Sequence, residues 1–194
     1  MTLQSLRDIL IPINEPAMAF NRSLISLILA ALSLSISAQA PDEPSPGQSL
    51  VYDTAVSTGP VGGCLTASSN ADGAPVIISG CFDGEASVSN TWVATNGTGM
   101  GTLQIFGDKC LDVTNGVDAD GTPLQISTCV AGDAGQQWIS AGQVGGTPHI
   151  VWAGQNKCVT VPNGDASAGT VLQITECDAT FNSIDQNWGI AIQH

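Results

Sequence analysis

Two stretches of the chain say nearly the same thing: Lys109–Cys129 reads KCLDVTNGVDADGTPLQISTC, and Lys157–Cys177 reads KCVTVPNGDASAGTVLQITEC. A more eroded version, GGCLTASSNADGAPVIISGC, precedes them and ends at Cys81. Cysteines 64, 110 and 158 open the copies, 46 and 48 residues apart, and cysteines 81, 129 and 177 close them, 48 residues apart each time. Trp92, Trp138 and Trp188 follow the closing cysteines, within NTW, QQW and QNW. A unit this short cannot bury its own apolar face, so three copies must pack on one another around a shared core.

Within each copy, short alternating or apolar runs such as CLDV, PLQIS and QQWIS are separated by Gly, Asn, Asp and Pro. That pattern predicts short strands and turns, with no helix downstream of residue 40. At 194 residues, 43% hydrophobic and 11% charged, the chain suits one compact all-β domain with a true core.

Charge narrows the partners. Four basic residues against 17 acidic ones give a net charge of -13, which leaves almost nothing to neutralise phosphate and excludes nucleic acid as a partner class. An anionic membrane surface is disfavoured for the same reason.

Met18–Ala40 has the layout of a secretory signal peptide: Arg22 on a short basic side, an apolar centre and a small-x-small end at Ala38-Gln39-Ala40. The signal would be complete if translation began at Met18, which leaves residues 1–17 as an N-terminal extension. Residues 41–50, rich in breakers, read as a spacer, and 51–194 as the folded domain, with no membrane span once residues 1–40 are removed. All six cysteines lie beyond the signal and face an oxidising route, so disulfides are expected. The pairing that respects the repeat joins cysteines within each copy: Cys64–Cys81, Cys110–Cys129 and Cys158–Cys177. Each bridge is worth about 3 kcal/mol, mostly by constraining the unfolded chain.

Three copies of this cysteine frame, with Gln-x-Trp near the ends of the second and third, resemble the ricin B-type lectin family, also called carbohydrate-binding module family 13. The resemblance covers most of the chain from about residue 50 onward. It implies a three-fold β-trefoil of twelve strands, a secreted protein and binding of galactose- or xylan-type glycans. A working sugar pocket in such a protein uses an Asp two residues after the first cysteine, an aromatic ring two residues before the second, and an amide just before the Gln-x-Trp. A carboxylate makes strong charge-assisted bonds to hydroxyl groups, and an aromatic ring buries the apolar face of a sugar.

Carried over copy by copy, the match is best in the second, where Asp112, Gln125 and Gln136 stand at carbohydrate-binding positions. Ser127 occupies the aromatic position there and Gly135 the Asn position. The third copy keeps Gln173, Gln186 and Asp185 but has Thr160 and Thr175 in place of the carboxylate and the ring. The first has Thr66, Ile77, Ser79 and Asn90.

Other residues carry less. The three phased tryptophans read as core, and Trp152 reads as core before it reads as a ligand contact. The Gln of Gln-x-Trp is as suited to holding the Asp or tying backbone as to touching sugar. Asp112 can also be read as a turn residue. Asp118 and Asp120 lack the Glu of an EF-hand loop and read as a polar turn, so no metal or other cofactor is expected. With two histidines and six oxidised cysteines, no nucleophile–base pair stands out and no enzyme is expected. Asn96-Gly97-Thr98 is the one glycosylation sequon downstream of residue 40. The competing reading is a trefoil that has lost sugar binding and acts through its loops on a protein partner, as a protease inhibitor or effector. Oligomeric state is not specified by these features.

Overall fold

The computed structural model describes residues 45–54, 63–81, 88–140, 149–180 and 182–192. The segment read as a signal peptide, residues 18–40, lies outside these. Among them the protein is all-β. Copy one contributes β1 (Ser49–Thr54), β2 (Gly63–Ala67), β3 (Ala74–Gly80) and β4 (Trp92–Ala94). Copy two contributes β5 (Met100–Gly101), β6 (Leu103–Ile105), β7 (Lys109–Val113), β8 (Thr122–Thr128) and β9 (Trp138–Ile139). Copy three contributes β10 (Val151–Trp152), β11 (Lys157–Thr160), β12 (Gln173–Glu176) and β13 (Trp188–Ile192).

Twelve strands were expected, and the described residues form thirteen because one run is split at Thr102. β5 pairs with β9 on one side of the break, while β6 pairs with β4 and β7 on the other. The Thr102 amide at the switch donates to Thr95 Oγ1 at 2.9 Å. The first strand also begins earlier than the spacer reading implies. Ser49–Thr54 buries Leu50, Tyr52 and Thr54 on alternate positions, so the core already reaches into the stretch read as spacer.

The architecture is a β-trefoil. Neighbouring strands β13, β1, β4, β5/β6, β9 and β10 follow one another round a barrel wall. The hairpins β2–β3, β7–β8 and β11–β12 close one end as a triangle, each touching the next: Pro75 opposes Gln125, Pro123 opposes Gln173, and Val171 opposes Ile77. The turn glycines carry this contact. Gly73, Gly121 and Gly169 all have positive φ, a backbone region glycine enters without strain, and each donates its N–H at 2.8 Å to an isoleucine carbonyl of the adjacent copy.

Ion pairs reinforce two of the three seams. Lys109 of copy two meets Asp72 of copy one at 3.1 Å, and Lys157 of copy three meets Asp120 of copy two at 2.7 Å. These lysines hold both carboxyls below the ordinary carboxylate range. The third seam has Gly63 and Ala168 at the matching positions, and a Cβ on Gly63 would come within 2.9 Å of Ile78 Cγ2. A lysine cannot stand there without moving the core.

Trp92, Trp138 and Trp188 fill that core at 0%, 1% and 3% exposure, as their phase requires. Each indole N–H donates to the residue after the first cysteine of its own copy: the carbonyls of Leu65 (2.8 Å), Leu111 (2.9 Å) and Val159 (3.1 Å). One side chain per copy thereby fastens hairpin to barrel. Trp152 is core as well, with its indole bonded to Ala134 O. The disulfides are Cys64–Cys81, Cys110–Cys129 and Cys158–Cys177, the symmetric pairing.

Candidate functional site

On β7 the side chains alternate, with Leu111 and Val113 buried in the core and Asp112 half-buried on the opposite face. The register sets Asp112 directly across from Gln125, and Cys110 across from Ser127, so all four share the outer face of the hairpin. Two short 3-10 turns border them. Thr114–Gly116 passes through Asn115 in the left-handed region (φ 56), a conformation Asn tolerates. Ala134–Gln136 is capped by Asp133, whose carboxylate accepts the Gly135 N–H at 2.9 Å.

Gln136 is 1% exposed, and its amide is filled by the protein. Its Nε2 donates to Ser127 Oγ (2.8 Å), Thr128 O (3.1 Å) and Asp112 Oδ2 (3.3 Å), while its Oε1 accepts Val130 N–H (2.8 Å). Ser127 also donates its hydroxyl proton to Asp112 Oδ2. One carboxylate oxygen is therefore fully engaged. The other, Oδ1, accepts no hydrogen bond among the described residues, and the Gln125 amide beside it is likewise without a protein partner. Gly135 leaves Oδ1 uncovered: a Cβ there would stand 3.1 Å from it and 3.3 Å from Asp133 Oδ1.

The residues expected to line one pocket are thus brought together, but in two roles. Asp112 and Gln125 offer open polar atoms, whereas Gln136 points inward and positions Asp112. Ser127 and Gly135, noted in the sequence only as departures, turn out to hold the carboxylate and to open the space beside it. The corresponding Thr175 and Gln186 of copy three carry the signal that could have revealed the Ser127 role.

That copy repeats the scaffold without the open acceptor. Gln186 Nε2 donates to Thr175 Oγ1 (2.8 Å), Glu176 O (2.8 Å) and Thr160 Oγ1 (3.2 Å), and its Oε1 accepts Asp178 N–H (2.7 Å). Thr160 is buried and gives its own proton to Cys158 O at 2.9 Å. Asp178 organises the next loop, accepting from Thr180, Ser183 and Asn182, and these bonds pull its pKa down to about 2. In copy one, Thr66 bonds Cys64 O in the same way. Asn90 replaces the Gln, and its buried Oδ1 has no partner among the described residues. It is one methylene shorter.

Two groups of side chains lie close enough to suggest a metal, His149 with Cys158 and Cys177, and Asp53 with Cys64 and Cys81. Their sulfurs are tied up in disulfides and offer no thiolate. Asp118 and Asp120 are exposed, and Asp120 is held by Lys157.

Residues 53–188 match the ricin-type beta-trefoil lectin domain, and the chain belongs to that family, whose members are carbohydrate-binding and usually non-enzymatic modules. Solved structures share the fold. A designed 3-fold symmetric protein, ThreeFoil, is 24% identical with a TM-score of 0.61, covering 73% of this chain and 96% of its own. The C-terminal half of an earthworm R-type lectin in complex with GalNAc is 13% identical with a TM-score of 0.58, covering 75% and 99%. The Polyporus squamosus lectin, bound to the epitope Neu5Aca2-6Galb1-4GlcNAc, is 22% identical with a TM-score of 0.57, covering 75% of this chain and 49% of its own. No curated protein matches the sequence significantly. No helix among the described residues is long and apolar enough to cross a membrane.

Proposed function

We propose that the protein is a secreted lectin of the carbohydrate-binding module family 13 type, acting without catalysis, whose working sugar site is the second copy. The observation that carries this is the uncovered Asp112 Oδ1 beside the unpartnered Gln125 amide. A carboxylate oxygen and an amide on neighbouring strands suit adjacent hydroxyls of one sugar, the first accepting, the second donating or accepting. Galactose- or xylan-type glycans are the proposed ligands, a choice supported by the family and, for galactose-type sugars, by the ligands of the earthworm and Polyporus lectins. Ser127 in place of an aromatic ring removes the stacking contact, so affinity per site is low. Three disulfides and the signal-peptide layout support an extracellular location.

A glycan array probed with residues 41–194 at high protein concentration, beside Asp112→Asn, tests the reading. Signal for galactose- or xylose-containing glycans that disappears in the variant is expected. No signal in either protein would overturn it and favour action on a protein partner, an alternative supported by Thr66 and Thr160 standing in place of the carboxylate in copies one and three.

A further inference from the structure

The sequon Asn96-Gly97-Thr98 lies in the turn between β4 and β5, on the barrel wall rather than on the hairpin that carries Asp112. Asn96 is exposed there. The turn is closed by Gly97 N–H to Ala94 O (3.3 Å) and Gly99 N–H to Asn96 O (2.9 Å), with Gly97 at φ 58. Asn96 Nδ2 donates one of its two hydrogens to Met100 O at 2.7 Å. The second hydrogen has no acceptor among the described residues, and neither does the Thr98 hydroxyl.

We infer that Asn96 carries an N-linked oligosaccharide in the secreted protein. The chemistry requires one hydroxyl residue two positions on and one replaceable amide hydrogen, and this turn presents both. In the transfer, Asn96 Nδ2 forms a bond to C1 of an oligosaccharide carried on a polyisoprenyl diphosphate. The C1–O bond breaks, the diphosphate leaves with the electron pair, and the amide releases one proton. One N–H remains on Nδ2 after the transfer, enough to keep the bond to Met100 O.

The neighbouring surface gives the oligosaccharide a role. Met100 is 59% exposed and opposes Ile139, itself 39% exposed, across β5 and β9. Ile139 in turn opposes the half-buried Val151 on β10. A glycan rooted one hydrogen bond from Met100 covers this apolar row.

The inference rests on the secretory leader and not on the sugar site, so it is tested without a ligand. The full chain is expressed in a eukaryotic host, collected from the medium and weighed intact before and after peptide N-glycosidase treatment in heavy-oxygen water. The expected result is a mass above that of the polypeptide by whole hexose and N-acetylhexosamine residues, lost on treatment, with Asn96 converted to a heavy-oxygen-labelled Asp. Thr98→Ser keeps the added mass and Thr98→Ala loses it, both without loss of secretion. Secreted protein with unmodified Asn96 overturns the inference at the site. Protein retained unmodified inside the cell overturns it at the leader.

Discussion

Asp112 and Thr160 occupy the same step of the same strand in consecutive copies, and the two surroundings differ less than the residues do. In both, a buried Gln bonds a hydroxyl on the facing strand, a backbone carbonyl after it and the N–H of the residue following the second cysteine. The fold needs that arrangement in either copy, because it closes the polar groups between hairpin and barrel. What separates the two copies is the second oxygen of a carboxylate. Thr160 gives its only proton to Cys158 O, whereas Asp112 has Oδ1 left over.

The comparison can be broken first at the level it predicts to be symmetric. Replacing Cys110 and Cys129 with Ala, or Cys158 and Cys177, opens loops of equal sequence separation, 19 residues each, and should cost about 3 kcal/mol in either copy by urea unfolding. Unequal losses would mean that the copies are not energetically equivalent. Gln136→Ala and Gln186→Ala should each cost about 2 kcal/mol by the same measurement, since a buried N–H and carbonyl lose their partners. Only the first should also weaken sugar binding.

Binding is where the copies should part. Asp112→Asn should lower affinity for the best array ligand roughly tenfold to a hundredfold, the worth of a charge-assisted hydrogen bond, while Thr160→Ala leaves it unchanged in calorimetric titration. Gly135→Ala sharpens the point, because its methyl would crowd Asp112 Oδ1. It should weaken binding by about 1 kcal/mol with little effect on stability.

The smallest effect is on pH. Burial lowers the pKa of His149, a shift that the Asp178 charge and the Asn187 hydrogen bond only partly offset. The unfolded chain then takes up a proton near pH 6.5 that the folded protein resists, so this group's stabilising contribution is full above about pH 6.5 and is lost as pH falls through it. A His149→Gln variant should flatten that part of the thermal stability profile.

Much of this was legible in the residues alone. The phase of Cys and Trp specified a threefold repeat, its disulfides and its core, because covalent and packing constraints repeat with the sequence period, and the family resemblance implied the trefoil. The family resemblance assigned Asp112 and Gln125 to one site, and the cross-strand register sets them opposite one another. The roles of Ser127, Gly135 and Gln136 were not legible. Which lone pair stays open depends on ångström-scale placement of a hydroxyl, a missing Cβ and a turn, and no residue type states that. The early start of β1 was missed for a different reason: the stretch SLVYDT is short, and the breakers before it masked its alternation.

The claim that one copy of three binds is tested most directly by titrating isotopically labelled protein with the best array ligand and following backbone and side-chain amide resonances. The Gln125 side-chain amide and the Gly135 backbone amide should shift together to saturation at one ligand per chain, with Gln173 and Asp185 unmoved. Equal shifts at Gln173, or saturation at more than one ligand per chain, would contradict the account and return copy three to the list of working sites.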